Sequence, residues 1–145
     1  MRITVKGRYA LRATLALARM GKAGEMVSVG KLSEEENIST GFLEQIFYNL
    51  KKAGIVKSAR GPGGGFSFVR PLDSLNVHEI LDAAGEELAM IPCAKQDSGC
   101  NRAGECVSHK VFGSVNSMVS EHLKTITMQM LLENDGLLSA ETASL

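Results

Sequence analysis

Apolar residues recur along the chain at two different periods, and the change of period marks its parts. Over 8–22, Leu11, Leu15 and Ala18 fall at helical spacing while Arg8, Arg12 and Arg19 lie on other faces, which predicts a helix closed by Gly24. Ser28 is placed to cap a short second helix through Leu32 to Glu36, with Gly30 inside it, and Asn37-Ile38 make a turn. Ser39 then caps a third helix, TGFLEQIFYNLKK, which Gly54 ends. Leu43, Ile46, Phe47 and Leu50 form its apolar stripe; Thr40, Glu44, Gln45, Tyr48 and Lys51 fall elsewhere and are free to meet a partner. Two short helices joined by a tight turn, the second with a polar face, are the helix-turn-helix pattern. An ordinary three-helix packing unit would read the same way.

At Ile55 the period changes to two. Residues 55–59 and 66–69 read as strands around Arg60-Gly61-Pro62-Gly63-Gly64-Gly65, a hairpin placed directly after the third helix, as in the wing of a winged helix. Gly61, Gly63 and Gly64 let the backbone approach another surface closely, and Arg60 can reach a phosphate or a narrow minor groove. A nucleotide-cradling loop would open a helix and end in Lys-Ser/Thr. This turn opens a strand and has no such lysine.

The helical period returns at Val77–Ala84, stopped by Gly85, and again from Ser108 to Glu133, where Val111, Val115, Met118, Val119, Leu123, Ile126 and Met130 make a long apolar face. So long a face finds too little surface within one small chain, and a second copy is its natural outlet; folding back onto its own domain is the alternative. The fold expected is mainly α with a small β-hairpin wing. It comprises a winged helix-turn-helix over 1–85, a loop over 86–107, a dimerisation helix over 108–133 and a flexible tail over 134–145.

Composition adds one thing the pattern does not. Net charge is zero, yet residues 1–70 hold 12 Lys and Arg against 5 Asp and Glu, and the remainder 4 against 11. A basic half is the electrostatic footprint of a nucleic-acid-binding module, although uneven surface charge alone would also produce it. The opening MRITVKGRYAL lacks the apolar stretch of a signal peptide, and no run approaches the ~18 residues of a membrane span, so a cytoplasmic protein with reduced thiols is expected.

Its three cysteines stand as Cys93-x6-Cys100-x5-Cys106, followed two residues later by His109. Three thiols and an imidazole can supply four ligands to one centre. An iron–sulfur cluster, a structural zinc and unligated reactive thiols all remain open on the residues themselves; zinc is disfavoured by the absence of close cysteine pairs. An imidazole in place of a thiolate raises a cluster's potential and leaves a displaceable ligand, which suits a sensor. His78 and His122 lie in predicted helices and read as ordinary surface or core residues. No nucleophile–base pair or paired carboxylates suggest an enzyme.

MRITVKGRYAL, TGFLEQIFYNLKKAGIVKSARGPGGGF and the cysteine loop together resemble the Rrf-type bacterial transcription regulators, over residues 1 to about 133. The resemblance to their cluster-binding branch implies a winged-helix homodimer holding a 2Fe–2S cluster on Cys93, Cys100, Cys106 and His109. It implies DNA reading by Glu44, Gln45 and Arg60, with Glu44 helping to decide which operators are accepted. The first cysteine gap is one residue longer than usual, and Gly41 stands where relatives carry a polar side chain. On this reading Thr40, Glu44, Gln45 and Tyr48 face the major groove, Arg60 enters the minor groove, and Lys51, Lys52 and Lys57 touch phosphates. The partner is double-stranded DNA with a pseudo-palindromic operator, its half-sites roughly 34–36 Å apart. A zinc- or thiol-sensing winged helix, and a small redox or cluster-transfer protein, are the rival functions.

Overall fold

In the computed structural model, which describes residues 1–95 and 99–134, the first helix starts three residues before the apolar pattern suggests. Helix α1 spans Val5–Met20 because Thr4 caps it, its hydroxyl accepting from the Gly7 N–H at 3.3 Å. It also ends earlier. The Gly21 N–H returns to the Leu17 carbonyl, and Lys22–Gly24 form a separate 3-10 turn. Ala10, Ala13, Ala16 and Leu17 line its buried face, where small side chains let neighbouring helices approach.

Helix α2 spans Val29–Glu36 and α3 spans Thr40–Lys52, with Ser28 and Ser39 as the caps expected. Between them Asn37 takes the left-handed conformation, and the Ser33 hydroxyl donates to the Ile38 carbonyl at 2.6 Å. Leu43, Ile46, Phe47 and Leu50 are completely buried, as the stripe predicts. Each contributes about 1.5–3 kcal/mol by leaving water. Strands β1, Val56–Ala59, and β2, Gly65–Phe68, pair antiparallel with Val56 opposite Phe68 and Ala59 opposite Gly65. The Phe66 ring stacks on Phe47 at 4.7 Å and fixes the hairpin to α3. On its other edge, Val27 exchanges two backbone hydrogen bonds with Phe66, a third rung that the sequence did not suggest. Gly65 accommodates that rung, since its φ is +137° and a Cβ there would meet the Val27 carbonyl oxygen at 2.1 Å.

Helix α4 spans Val77–Ala83 behind a reciprocal cap in which Asn76 and Glu79 each accept the other's N–H, while Arg70 pairs with Glu79 at 3.0 Å. Residues 86–107 are less featureless than expected: Glu86 and Leu88 are buried, and Pro92–Ala94 form a 3-10 turn.

The long final helix is the main departure. Helix α5 runs Val107–Thr125 and stops, because the following residues turn to complete the first domain. The Ile126 carbonyl accepts from the Val77 N–H at 2.9 Å, and the Met128 N–H donates to the Leu75 carbonyl at 2.8 Å. Met128 is fully buried, and helical backbone resumes over 128–134. The β-branched run Thr125-Ile126-Thr127 was the signal for this break. Leu123 and Ile126 pack with Val77, Leu81 and Leu88, whereas no residue of α5 is fully buried. Among the described residues no helix is long and apolar enough to cross a membrane. Of the tail expected to be flexible, residues 135–145 lie outside the described residues.

Candidate DNA-reading face and cysteine centre

Packing the apolar stripe of α3 inward leaves its other face outward. Thr40, Glu44, Gln45, Tyr48, Lys51 and Lys52 are all exposed, Tyr48 to 65%. The N-terminal ends of α1 and α3 are held together by Tyr9, whose ring meets Phe42 edge-on at 5.7 Å and lies under the Arg12 guanidinium at 5.2 Å. Arg12 and Arg19 converge on Glu36 at the end of α2, at 3.0 and 3.1 Å, which ties the turn to α1. Lys51 donates to the Ser58 hydroxyl at 2.7 Å, joining the exposed face of α3 to strand β1. Lys57 and Arg60 are exposed on the hairpin.

The wing glycines divide into two kinds. Gly61 and Gly63 take φ of +85° and +76°, are exposed, and have open space where a side chain would be, so their backbones are available to an approaching surface. Gly64 is required by the turn itself, since a Cβ there would sit 2.4 Å from the Ala59 carbonyl oxygen.

The cysteine segment is only partly assembled. Cys106 is the N-cap of α5, its Sγ accepting from the His109 N–H at 3.5 Å. His109 lies one turn further on, and its Nδ1 is buried without a hydrogen-bond partner. It lines a cavity of about 340 Å³ with Ala94, Lys110, Gly113 and Asn116, next to the 3-10 turn that carries Cys93. Cys100 is exposed, and the three cysteines form no disulfide. Among the described residues no three metal-binding side chains are gathered into one group. A soft, N/S-coordinated centre suits these donors, because Cys106 and His109 are fixed at the helix start, the imidazole Nδ1 is orphaned, and the residue borders a cavity.

The sequence reading missed Glu86. Its carboxylate, 6% exposed, accepts from the Thr4 N–H at 3.0 Å and from the Thr4 hydroxyl, so it seals the start of α1. Burial pushes its pKa up, but the bonds from Thr4 and from the Gly7 N–H, with the Lys6 charge, outweigh it and hold the carboxyl below its ordinary value. Gly7 makes room: a Cβ there would lie 2.5 Å from the Glu86 carboxyl carbon. A glycine in an otherwise Ala- and Leu-rich helix was the available clue.

A helix-turn-helix with an exposed polar second helix, flanked by a glycine-tipped hairpin, defines a winged-helix DNA-binding regulator. The chain belongs to the Rrf2 family, described as an iron-dependent transcriptional regulator, whose model matches residues 3–134. It is 36% identical over 138 residues to the HTH-type transcriptional regulator IscR of Escherichia coli, covering 95% of this chain and 84% of that one. Among solved structures, T. potens IscR superposes with a TM-score of 0.72 at 28% identity, over 93% of this chain and 88% of that one. CymR (YrzC), the global cysteine regulator of B. subtilis, superposes with a TM-score of 0.73 at 25% identity, over 92% and 97%. These relatives are transcription regulators, not enzymes.

Proposed function

We propose that the protein is a cytoplasmic homodimer that reads a pseudo-palindromic operator in double-stranded DNA under the control of a 2Fe–2S cluster on Cys93, Cys100, Cys106 and His109. Thr40, Glu44, Gln45 and Tyr48 read the major groove, Arg60 enters the minor groove, Lys51, Lys52 and Lys57 neutralise phosphates, and Gly61, Gly63 and Gly64 bring the wing close to the backbone. The second copy pairs along the exposed stripe of α5, where Val107, Val111, Val115 and Met118 are 37–74% exposed. The single observation that carries the cluster is the buried, unpartnered Nδ1 of His109, one turn from the thiol that caps the same helix. When bound, a 2Fe–2S cluster supplies a one-electron centre open to oxidants and nitric oxide. Cys93 and Cys100 would be drawn toward Cys106 and His109, pulling the segment before α5 onto the helix start and altering how the paired wings are presented.

The test is the visible spectrum of anaerobically purified protein, read beside its iron and acid-labile sulfide. Absorbance and about two irons per chain are expected, together with a Cys100→Ala variant that loses both and changes operator affinity or preference. An unchanged operator response in Cys100→Ala would sink the gating idea. A second reading, a zinc- or thiol-based sensor, is favoured by the exposed Cys100 and the ungathered ligands. Colourless protein with stoichiometric zinc, or with three titratable thiols and no metal, would establish it instead.

A further inference from the structure

Helix α5 carries two stripes. Val107, Val111, Val115 and Met118 form the exposed one, while His109, Gly113, Asn116 and Leu123 are half-buried against their own chain. The segment leading to Cys93 packs on this inner stripe. Leu88 anchors its start among Val77, Leu81, Leu123 and Ile126, and the Lys95 ammonium pairs with the Glu87 carboxylate, closing 87–95 into a loop. Between these anchors the Met90 N–H donates to the Asn116 Oδ1 at 3.2 Å, a bond that spans 26 residues of sequence. Asparagine is a poor helix former, yet here its carbonyl oxygen satisfies a part-buried backbone donor, which an apolar residue could not do.

Asn116 lies two helical turns beyond His109, on the same side of α5. The two residues line one cavity of about 340 Å³ together with Ala94, which follows Cys93 directly. The Ala94 N–H donates to the Ile91 carbonyl at 3.1 Å, so a tight turn starts one residue after the tied Met90 and carries Cys93 with it. Apolar packing at Leu88 holds the loop against the helix but does not fix its place along it; a directional hydrogen bond does. We propose that Asn116 is a positioning residue, which through Met90 holds the Cys93 turn against the face of α5 that carries His109. The inference rests on the proposed ligand set. It accounts for Cys93 lying half-buried by the cavity while Cys100, which lacks such a tie, stands exposed. Outer contacts that hold ligands in place are worth about tenfold or more in metal affinity.

Two variants of the full-length chain test the proposal. Asn116→Leu removes the acceptor at similar volume, and Asn116→Asp restores it. In reduced, metal-free protein, amide exchange at Met90 should be about fivefold faster in Asn116→Leu. Alkylation of Cys93 by iodoacetamide should quicken by a similar factor, with Cys106 unchanged, and Asn116→Asp should keep both at or below the wild-type rates. After anaerobic loading with ferrous iron and sulfide, a chelator should bleach Asn116→Leu about tenfold faster than the wild type or Asn116→Asp. Unchanged exchange at Met90 and alkylation at Cys93 in Asn116→Leu, or no rescue by Asn116→Asp, would overturn the placement whatever metal the protein holds. Equal bleaching of Asn116→Leu and wild type would overturn its role toward the centre. A wild-type chain that loads no iron would refute the cluster reading alone, since the metal-free rates still decide whether Asn116 places Cys93.

Discussion

Helices α3 and α5 are both amphipathic, and they end up in opposite circumstances. The shorter, α3, sinks Leu43, Ile46, Phe47 and Leu50 completely into its own domain and turns its polar face outward. The longer, α5, buries no residue fully, and its apolar positions from Val107 to Met118 face solvent. One helix is finished by its own chain; the other leaves an apolar stripe exposed among the described residues, which in the proposed dimer a second copy covers. Reading DNA demands the first condition, because a recognition helix must be held rigidly from behind. Reporting a signal is served by the second, because a region stabilised only on assembly or ligation can respond to either.

The largest effect that separates the two is core truncation. Phe47→Ala should cost about 3–5 kcal/mol in equilibrium unfolding, whereas Val111→Ala should change monomer stability by less than about 0.5 kcal/mol. Similar losses at both sites would mean that α5 is structural in the single chain. Next is Met118→Asp, which places a charge in the exposed stripe. Sedimentation should report at least a thirtyfold weaker dimer, about 2 kcal/mol, with the unfolding midpoint of the monomer unchanged. A dimer of undiminished affinity would move the interface elsewhere.

Glu86→Gln tests the join between the regions. Because the folded-state pKa of Glu86 is lowered, its carboxylate adds stability above the unfolded-state value near 4.5, and that stability is lost as pH falls through the folded-state value. The variant should therefore be weaker at pH 7 by about 1–2 kcal/mol and show a flatter loss of stability in acid. An unchanged acid-unfolding profile would remove Glu86 from that role. The smallest difference lies in the caps. Ser39→Ala should cost α3 about 1 kcal/mol, while Cys106→Ser, which exchanges a weak sulfur acceptor for a hydroxyl, should leave the metal-free protein as stable or slightly more so and still abolish iron loading. Retained iron in Cys106→Ser would exclude that thiol as a ligand.

Much of the winged domain was legible because its instructions are local: Ser28 and Ser39 as caps, the α3 stripe, and glycines closing a hairpin. Charge asymmetry and the exposed side chains of α3 followed from the same residues. What escaped depended on partners distant in sequence. The end of α5 at Thr125 is imposed by Leu75 and Val77, some fifty residues earlier, and helical periodicity carries no trace of them. Glu86 reads as one acid among many until Thr4 and Gly7 are placed beside it. The candidate ligands Cys93, Cys100, Cys106 and His109 were named from residue type and family likeness, but spacing could not tell that Cys106 and His109 would be fixed while Cys100 stood exposed.

The clasp between Val77 and Ile126 also has a mechanical side. It fastens α5 at its C-terminal end, and nineteen residues of helix carry the other end about 28 Å away. A tilt of about 5° at that fulcrum would sweep the tip holding Cys106 and His109 through about 2.5 Å over such a span. Small displacements at the thiol end would therefore reach the fastening, where α5 packs on α4, as modest rotations. A helix interrupted where its pattern promised continuity thus has the geometry of a lever whose fixed end rests against α4.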